Sequence, residues 1–361
     1  MRRRPEQERI ARLKRLMKAD DLGALLVTRR EDVRYLSGFT GSAGSLLIAS
    51  GRPFLITDFR YQLQASEETS GFRVLVQKTD LFSAIKGAAE LLGLAGLWFD
   101  ESAVTVEFVR KLRKQKLTLT GHRDLVRELR QRKDARELAN IRLAIRRAEE
   151  SFRELRRHIR PGARERELGL RLEYLMREKG SRRAAFDTIV ASGRNGAMPH
   201  AAVTDRCLKK GDLVTIDFGA EANGYFSDLT RTVCVGRPSA KQQEIHALVL
   251  EAQAAAIRSV RPGATCTSVD AAARDVIKAA GHGKRFGHGT GHGIGLMVHE
   301  GPSVSPLSKD GVEPGMVFTV EPGVYIPGWG GVRIEDMVLV TDKGAKVLTA
   351  LPRELEGLNS L

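Results

Sequence analysis

Asn223-Gly224 lies between two apolar runs, Leu213–Gly219 and Tyr225–Val235. No short-range hairpin signal is stronger than this dipeptide in such a setting. A two-residue turn here sets the register: Ala222 faces Tyr225, and Asp217 faces Thr230. Asp228, two residues from Thr230, then points to the same face as Asp217, and the two carboxylates become diagonal cross-strand neighbours. Two acids so placed repel each other, and both stay ionised only with a cation between them. A divalent metal ion meets that need; the alternative is a pair of surface acids on an exposed face.

Three further segments carry the same chemistry. Phe286–Gly295 alternates glycine with His288 and His292, and His299 follows shortly after. Glycine lets a backbone approach a ligand and adopt positive φ, and imidazole is a common metal ligand near neutral pH. The segment contains no Gly-x-Gly-x-x-Gly at any register, so a dinucleotide loop is rejected. Glu321 ends the apolar run Met316–Glu321 before Pro322-Gly323. Arg333 and Glu335 share one face of an apolar strand read over Val332–Thr341. Acids are rarely buried unless paired or metal-bound. Four carboxylates and one or more imidazoles suit manganese, iron, cobalt or zinc, and their eight oxygens exceed what one small ion needs. That favours two ions sharing bridging carboxylates. His200 follows a Gly- and Asn-rich loop at Ala191–Pro199 and alone says little.

Around these segments the chain reads as α+β. Up to about residue 125, helical spacing near Ile10–Met17 alternates with strand patterns at 24–27, 45–49, 53–57, 72–77 and 97–100. Residues 124–160 form a charged helical stretch stopped by Pro161-Gly162, and a helix over Glu165–Lys179 ends at Gly180. Helices near 241–260 and 268–280 interrupt the later strands. We expect domains over 1–125 and 126–361, the second including a connecting helix at about 126–160.

The net charge of +15 raises the question of a nucleic-acid partner. Residues 1–200 hold 42 basic and 26 acidic side chains, and residues 201–361 hold 17 and 18. The excess therefore lies away from the acid-rich segments, and no nucleic-acid motif accompanies it. Three cysteines without a Cys-x-x-Cys pair argue against a disulfide framework or thiolate zinc site. With no apolar leader and no membrane-length apolar run, the expectation is a cytoplasmic protein with no membrane or nucleic-acid partner.

Taken in order, Asp217, Asp228, His292, Glu321 and Glu335 resemble the ligand set of the pita-bread metallopeptidases, nearest the Xaa-Pro aminopeptidase and Xaa-Pro dipeptidase (prolidase) branch. Gly38–Gly44 and Ile56–Tyr61 look like the creatinase-type N-terminal domain, and within the branch they look more like the aminopeptidases. The resemblance implies a creatinase-type α/β domain followed by a pita-bread catalytic domain. It implies two divalent metal ions per subunit, manganese first, with cobalt, zinc or iron as alternatives. It also implies a homodimer acting on proline-containing peptides. The reaction implied is hydrolysis of the bond before proline by a hydroxide bridging the two metals. His200 and His299 resemble histidines near the scissile bond, His288 one on the proline side, and Arg333 an arginine near the substrate; Glu321 is the proton shuttle. Other readings on the same fold are a methionine aminopeptidase, whose chains usually lack such an N-terminal domain, and a metal-independent creatinase-like hydrolase or binder, which typically loses ligands.

Overall fold

The computed structural model describes residues 4–358. The chain divides into two compact units between Arg130 and Gln131.

In the first unit, α1 (Pro5–Ala19), β1 (Leu25–Val27), α2 (Arg30–Ser37), β2 (Gly44–Ile48), β3 (Phe54–Thr57), α3 (Gln62–Glu68), β4 (Arg73–Val76), α4 (Leu81–Leu91), β5 (Gly96–Asp100), α5 (Val106–Arg113) and β6 (Thr118–His122) follow one another, and α6 (Leu125–Gln131) ends at the division. One sheet runs β4-β3-β2-β1-β5-β6. Ile85, Ala88 and Ala89 of α4 pack with Leu26, Leu47, Ile56 and Leu97 of the sheet to make its core. Asp80 caps α4 by accepting from Phe82 N and Ser83 N. Gly38 ends α2 at φ 81°, in the left-handed region glycine enters without strain. The strands expected between 24 and 100 all form; β6 had no clear pattern, because Thr118–His122 is only half-buried.

The second unit begins with α7 (Ala135–Leu155) and α8 (Glu165–Glu178). They cover a sheet in which β19 (Gly357–Leu358), β11 (Leu229–Val235), β8 (Leu213–Phe218) and β7 (Ile189–Ser192) are neighbours in that order. Phe152 stacks on Phe218 with ring centres 5.2 Å apart, among Leu172, Met176, Ile216 and Val233. Helices α9 (Ala240–Ser259) and α10 (Cys266–Ala279) cover a second sheet, ordered β13 (Glu300–Val304), β12 (Gly291–Gly293), β14 (Val317–Val320), β17 (Asp336–Thr341) and β18 (Gly344–Val347). Their shared core includes Val249, Ala252, Val269, Phe318, Val320 and Val338. Two short hairpins, β9 (Glu221–Ala222) with β10 (Tyr225–Phe226) and β15 (Gly323–Ile326) with β16 (Gly330–Arg333), complete it. The fold is α+β, as expected. No helix among the described residues is long and apolar enough to cross a membrane.

Three expected elements are broken, the first being the run Tyr225–Val235, which divides into β10 and β11 in different sheets. The stretch 124–160 is interrupted after α6: Lys133 N donates to Gly315 O at 2.8 Å, Arg132 bridges to Met316, and Asp134 caps a new helix with Glu137 closing a capping box. The strand read over Val332–Thr341 splits into β16 and β17, which belong to different sheets. Between them Glu335 N donates to Thr230 O at 3.2 Å. The backbone of Glu335 therefore pairs with the Asp217–Asp228 hairpin.

Candidate metal centre

The hairpin adopts the register that Asn223-Gly224 dictates. Both turn residues have positive φ, 49° and 83°, as a two-residue hairpin turn requires. Ala222 pairs with Tyr225 and Asp217 with Thr230. Asp217 and Asp228 thus enter one cavity of about 750 Å³, which His200, His288, His292, His299, Glu321, Arg333 and Glu335 also line. Every residue singled out from the sequence meets there.

The glycines around His292 serve packing. A Cβ on Gly291 would lie 1.9 Å from Thr319 O, and one on Gly293 would lie 2.0 Å from Gly301 O. Only glycine on both sides lets β12 fit between β13 and β14. None of the glycines from Gly287 to Gly295 has positive φ, so the conformational freedom expected of them is not what selects them. His292 Nδ1 lies 3.1 Å from Gly293 O and donates to it, and Nε2 faces Glu321 Oε1 at 3.3 Å and Asp228 Oδ2 at 3.6 Å; in the metal-free chain Nε2 carries a proton toward those carboxylates, and a bound ion would take that proton's place.

Both glutamates are held from behind. Thr319 Oγ1 accepts from His292 N at 3.1 Å and donates to Glu321 Oε1 at 3.0 Å, so one hydroxyl orients two of the site's side chains. Thr230 Oγ1 donates to Glu335 Oε2 at 2.6 Å. Gln253 of α9 donates through Nε2 to Val320 O and Ile334 O, both at 3.2 Å. These are the carbonyls immediately before Glu321 and Glu335.

The electrostatics call for a cation. Burial, followed by the charges of neighbouring carboxylates, pushes Asp228 and Glu335 well above the usual carboxylate range. Burial also raises Asp217, against the pull of Arg333. Glu321 goes the other way: burial opposes its charge, but the hydrogen bond and charge of His292 win and hold it low. Burial works against a charged His292 as well, and Glu321 reverses that and raises it. Asp217 Oδ1 and Glu335 Oε1 are buried and have no hydrogen-bond partner among the described residues. Oxygens, or a ring nitrogen, from Asp228, His292 and Glu335 all lie within 4.8 Å of one another. Buried oxygen donors with unused lone pairs, joined by one imidazole, fit divalent first-row ions.

A second acidic group, Asp32, Asp100 and Asp124 in the first unit, also clusters within 4.8 Å. Its charge is met from within the chain. Arg29 reaches Asp100 at 2.8 Å and Asp32 at 3.1 Å and pairs with Asp124, and Arg130 meets Asp32 at 2.7 Å.

Around the acids runs a polar chain. Arg333 donates to Asp217 Oδ2 at 2.7 Å, Tyr325 Oη at 2.9 Å and Pro199 O at 3.2 Å. Tyr325 Oη lies 2.9 Å from His288 Nε2, and His288 Nδ1 lies 2.8 Å from Gly289 O. With Nδ1–H donated to that carbonyl, the tyrosine hydroxyl donates to Nε2 and His288 is neutral; its burial favours the same form. His299 packs against His292 with ring centres 4.1 Å apart and planes tilted by 45°, and burial followed by the charge of His292 lowers its pKa. Tyr325, Thr319 and Thr230 were not singled out from the sequence. Tyr325 had a readable signal: it sits opposite Gly331 in the β15–β16 hairpin, where the absent side chain leaves room for its ring.

Residues 139–342 match the metallopeptidase family M24, and residues 9–132 match the creatinase/prolidase N-terminal domain. The chain is 36% identical to an Xaa-Pro dipeptidase of Pyrococcus horikoshii, over 96% of this chain and 98% of that one. Among solved structures it is similar to an Xaa-Pro dipeptidase from Bacillus anthracis (40% identity, TM-score 0.95, 98% of this chain and 100% of that one). It is also similar to an X-Pro aminopeptidase from Thermotoga maritima (38% identity, TM-score 0.89, 96% and 100%). With its carboxylates and histidine gathered in one cavity, and a segment matching the creatinase-type domain preceding them in the sequence, this chain belongs to the M24 metallopeptidases.

Proposed function

We propose that this metallopeptidase hydrolyses the peptide bond between an N-terminal residue and a following proline, with Asp217, Asp228, His292, Glu321 and Glu335 holding two divalent metal ions. The observation that carries the reading is the convergence of those five side chains with buried oxygens of Asp217 and Glu335 left unpaired. Ions held there lower the pKa of a bound water and polarise the scissile carbonyl. Manganese is the ion we favour, and a homodimer in the cytoplasm the assembly and compartment.

The chain's own residues supply the rest. Both protein contacts of Glu321 fall on Oε1, which leaves Oε2 for the cavity and for moving a proton to the departing proline nitrogen. Neutral His288, fixed by Tyr325, offers an uncharged ring edge to the proline side. His200 and His299 face the same cavity and donate toward the carbonyl oxygen as negative charge develops on it. Arg333, already bound to Asp217, orients that carboxylate and opposes the rise that burial imposes on its pKa. Proline has no N–H, so recognition of its side rests on shape.

The test is turnover of Ala-Pro and Ala-Pro-Ala by protein reconstituted with Mn²⁺. Cleavage of both marks an aminopeptidase, and cleavage of Ala-Pro alone marks a dipeptidase. Metal-loaded protein that cleaves neither overturns the proposal.

A further inference from the structure

Glu165 opens α8 and is 0% exposed. Its carboxylate is ringed by donors from one loop. Oε1 accepts from Ser192 N and Ser192 Oγ, each at 2.7 Å. Oε2 accepts from Thr204 N at 3.2 Å and from Thr204 Oγ1. Asn195 Nδ2 lies 3.1 Å from both oxygens. Ser192 ends β7, and Thr204 stands on the far side of the loop that carries Pro199 and His200. One buried side chain therefore pins both ends of the His200 segment.

The inner side of the segment is also fixed. A Cβ on Gly331 would lie 2.0 Å from Gly196 O, so the loop backbone rests directly on β16. Pro199 O accepts from Arg333 at the end of that strand. Between these anchors His200 faces the cavity, near enough for its charge to bear on His288 and His299.

We propose that Glu165, which does not reach the cavity, is a positioning residue that sets where His200 stands over the site. This rests on the role given to His200 above. The geometry needs a carboxylate. Two backbone N–H groups, one from each end of the loop, use different oxygens, and an amide offers only one acceptor. Glu165→Gln therefore turns an N–H donor against Ser192 N or Thr204 N and leaves that buried group unsatisfied.

The experiment is a double-mutant cycle in full-length, metal-reconstituted protein on an Xaa-Pro substrate, with metal content and thermal midpoint measured on each variant. E165Q is expected to lower kcat/KM about tenfold, mainly through kcat, with metal content unchanged. In an H200A background the same substitution is expected to change kcat/KM by less than about twofold. Equal losses in both backgrounds mean that Glu165 acts on stability or on something other than His200, and overturn the inference. Should E165Q fold poorly, Thr204→Val removes one hydroxyl, which donates to Glu165 and accepts from Arg206 N and Asn195 Nδ2, and is judged by the same non-additivity. A silent H200A brings down the reading of His200 itself, and the inference with it.

Discussion

Arg333 and Asp217 form a 2.7 Å ion pair at the floor of the cavity, with the arginine only 4% exposed. The same guanidinium donates to Thr230 Oγ1 at 3.1 Å, and that hydroxyl donates to Glu335. One cation thus reaches two of the four acids of the cavity, directly and through a threonine.

Removing it takes the cationic partner from the Asp217 carboxylate. Arg333→Ala is expected to lower the unfolding free energy of the metal-free chain by roughly 3 kcal/mol, read by urea denaturation. An unchanged midpoint would show that the pair carries no stability.

Thr319→Val keeps the shape of a side chain that is 0% exposed and deletes only its hydroxyl. His292 N and Glu321 Oε1 both lose their shared partner. The expected result is metal affinity lower by about 10–100-fold with the fold intact, measured by titrating Mn²⁺ into chelator-treated protein. Affinity equal to that of the parent chain would remove Thr319 from the account.

Ion uptake should release protons. In the metal-free chain burial, and then the neighbouring carboxylates, raise Asp228 and Glu335, so they hold protons to higher pH than free carboxylates do, and an incoming ion must displace those protons. An acid with a raised folded pKa binds more protons folded than unfolded. Its contribution makes the metal-free fold less stable as pH climbs from about 4 through the raised values. Glu321, held low, acts oppositely: its stabilisation is present above its unfolded pKa and is lost as pH falls below it. Calorimetry with Mn²⁺ in buffers of different ionisation heat should report net proton release and an affinity that rises with pH. Binding that moves no protons contradicts this. Asp228→Asn should weaken binding by more than about 100-fold.

His246 on α9 supplies a separate pH effect. It is 3% exposed, its Nε2 has no hydrogen-bond partner among the described residues, and burial pushes it down to about 4. The unfolded chain binds a proton near pH 6.5 that the folded chain refuses. Stability is therefore full above 6.5 and falls as pH drops toward about 4, by on the order of 3 kcal/mol. His246→Leu should flatten that slope in denaturant midpoints taken across the interval. A parallel slope in the variant would assign the acid sensitivity to other groups.

The hairpin was legible because its turn chemistry and its side-chain period are both local. Asn223-Gly224 set the register, and the register placed Asp217 against Thr230. His292, Glu321 and Glu335 were legible as polar residues embedded in apolar or glycine-rich strands. The supports behind them were not. Gln253 and Glu165 lie on helices and act on backbone groups tens of residues away, and no periodicity marks a glutamine or glutamate that faces inward. The break at Ile334–Glu335 was hidden for the same reason: the apolar pattern runs on while the pairing partner changes from β15 to β14.

Gln253 joins the carbonyls just before Glu321 and Glu335 through a single nitrogen. The two glutamates are in effect one mechanical part, mounted on α9. With the proposed ligand set, neither could drift to suit an ion of a different radius without straining its tie to the other, so a helix outside the cavity would bear on the choice of metal.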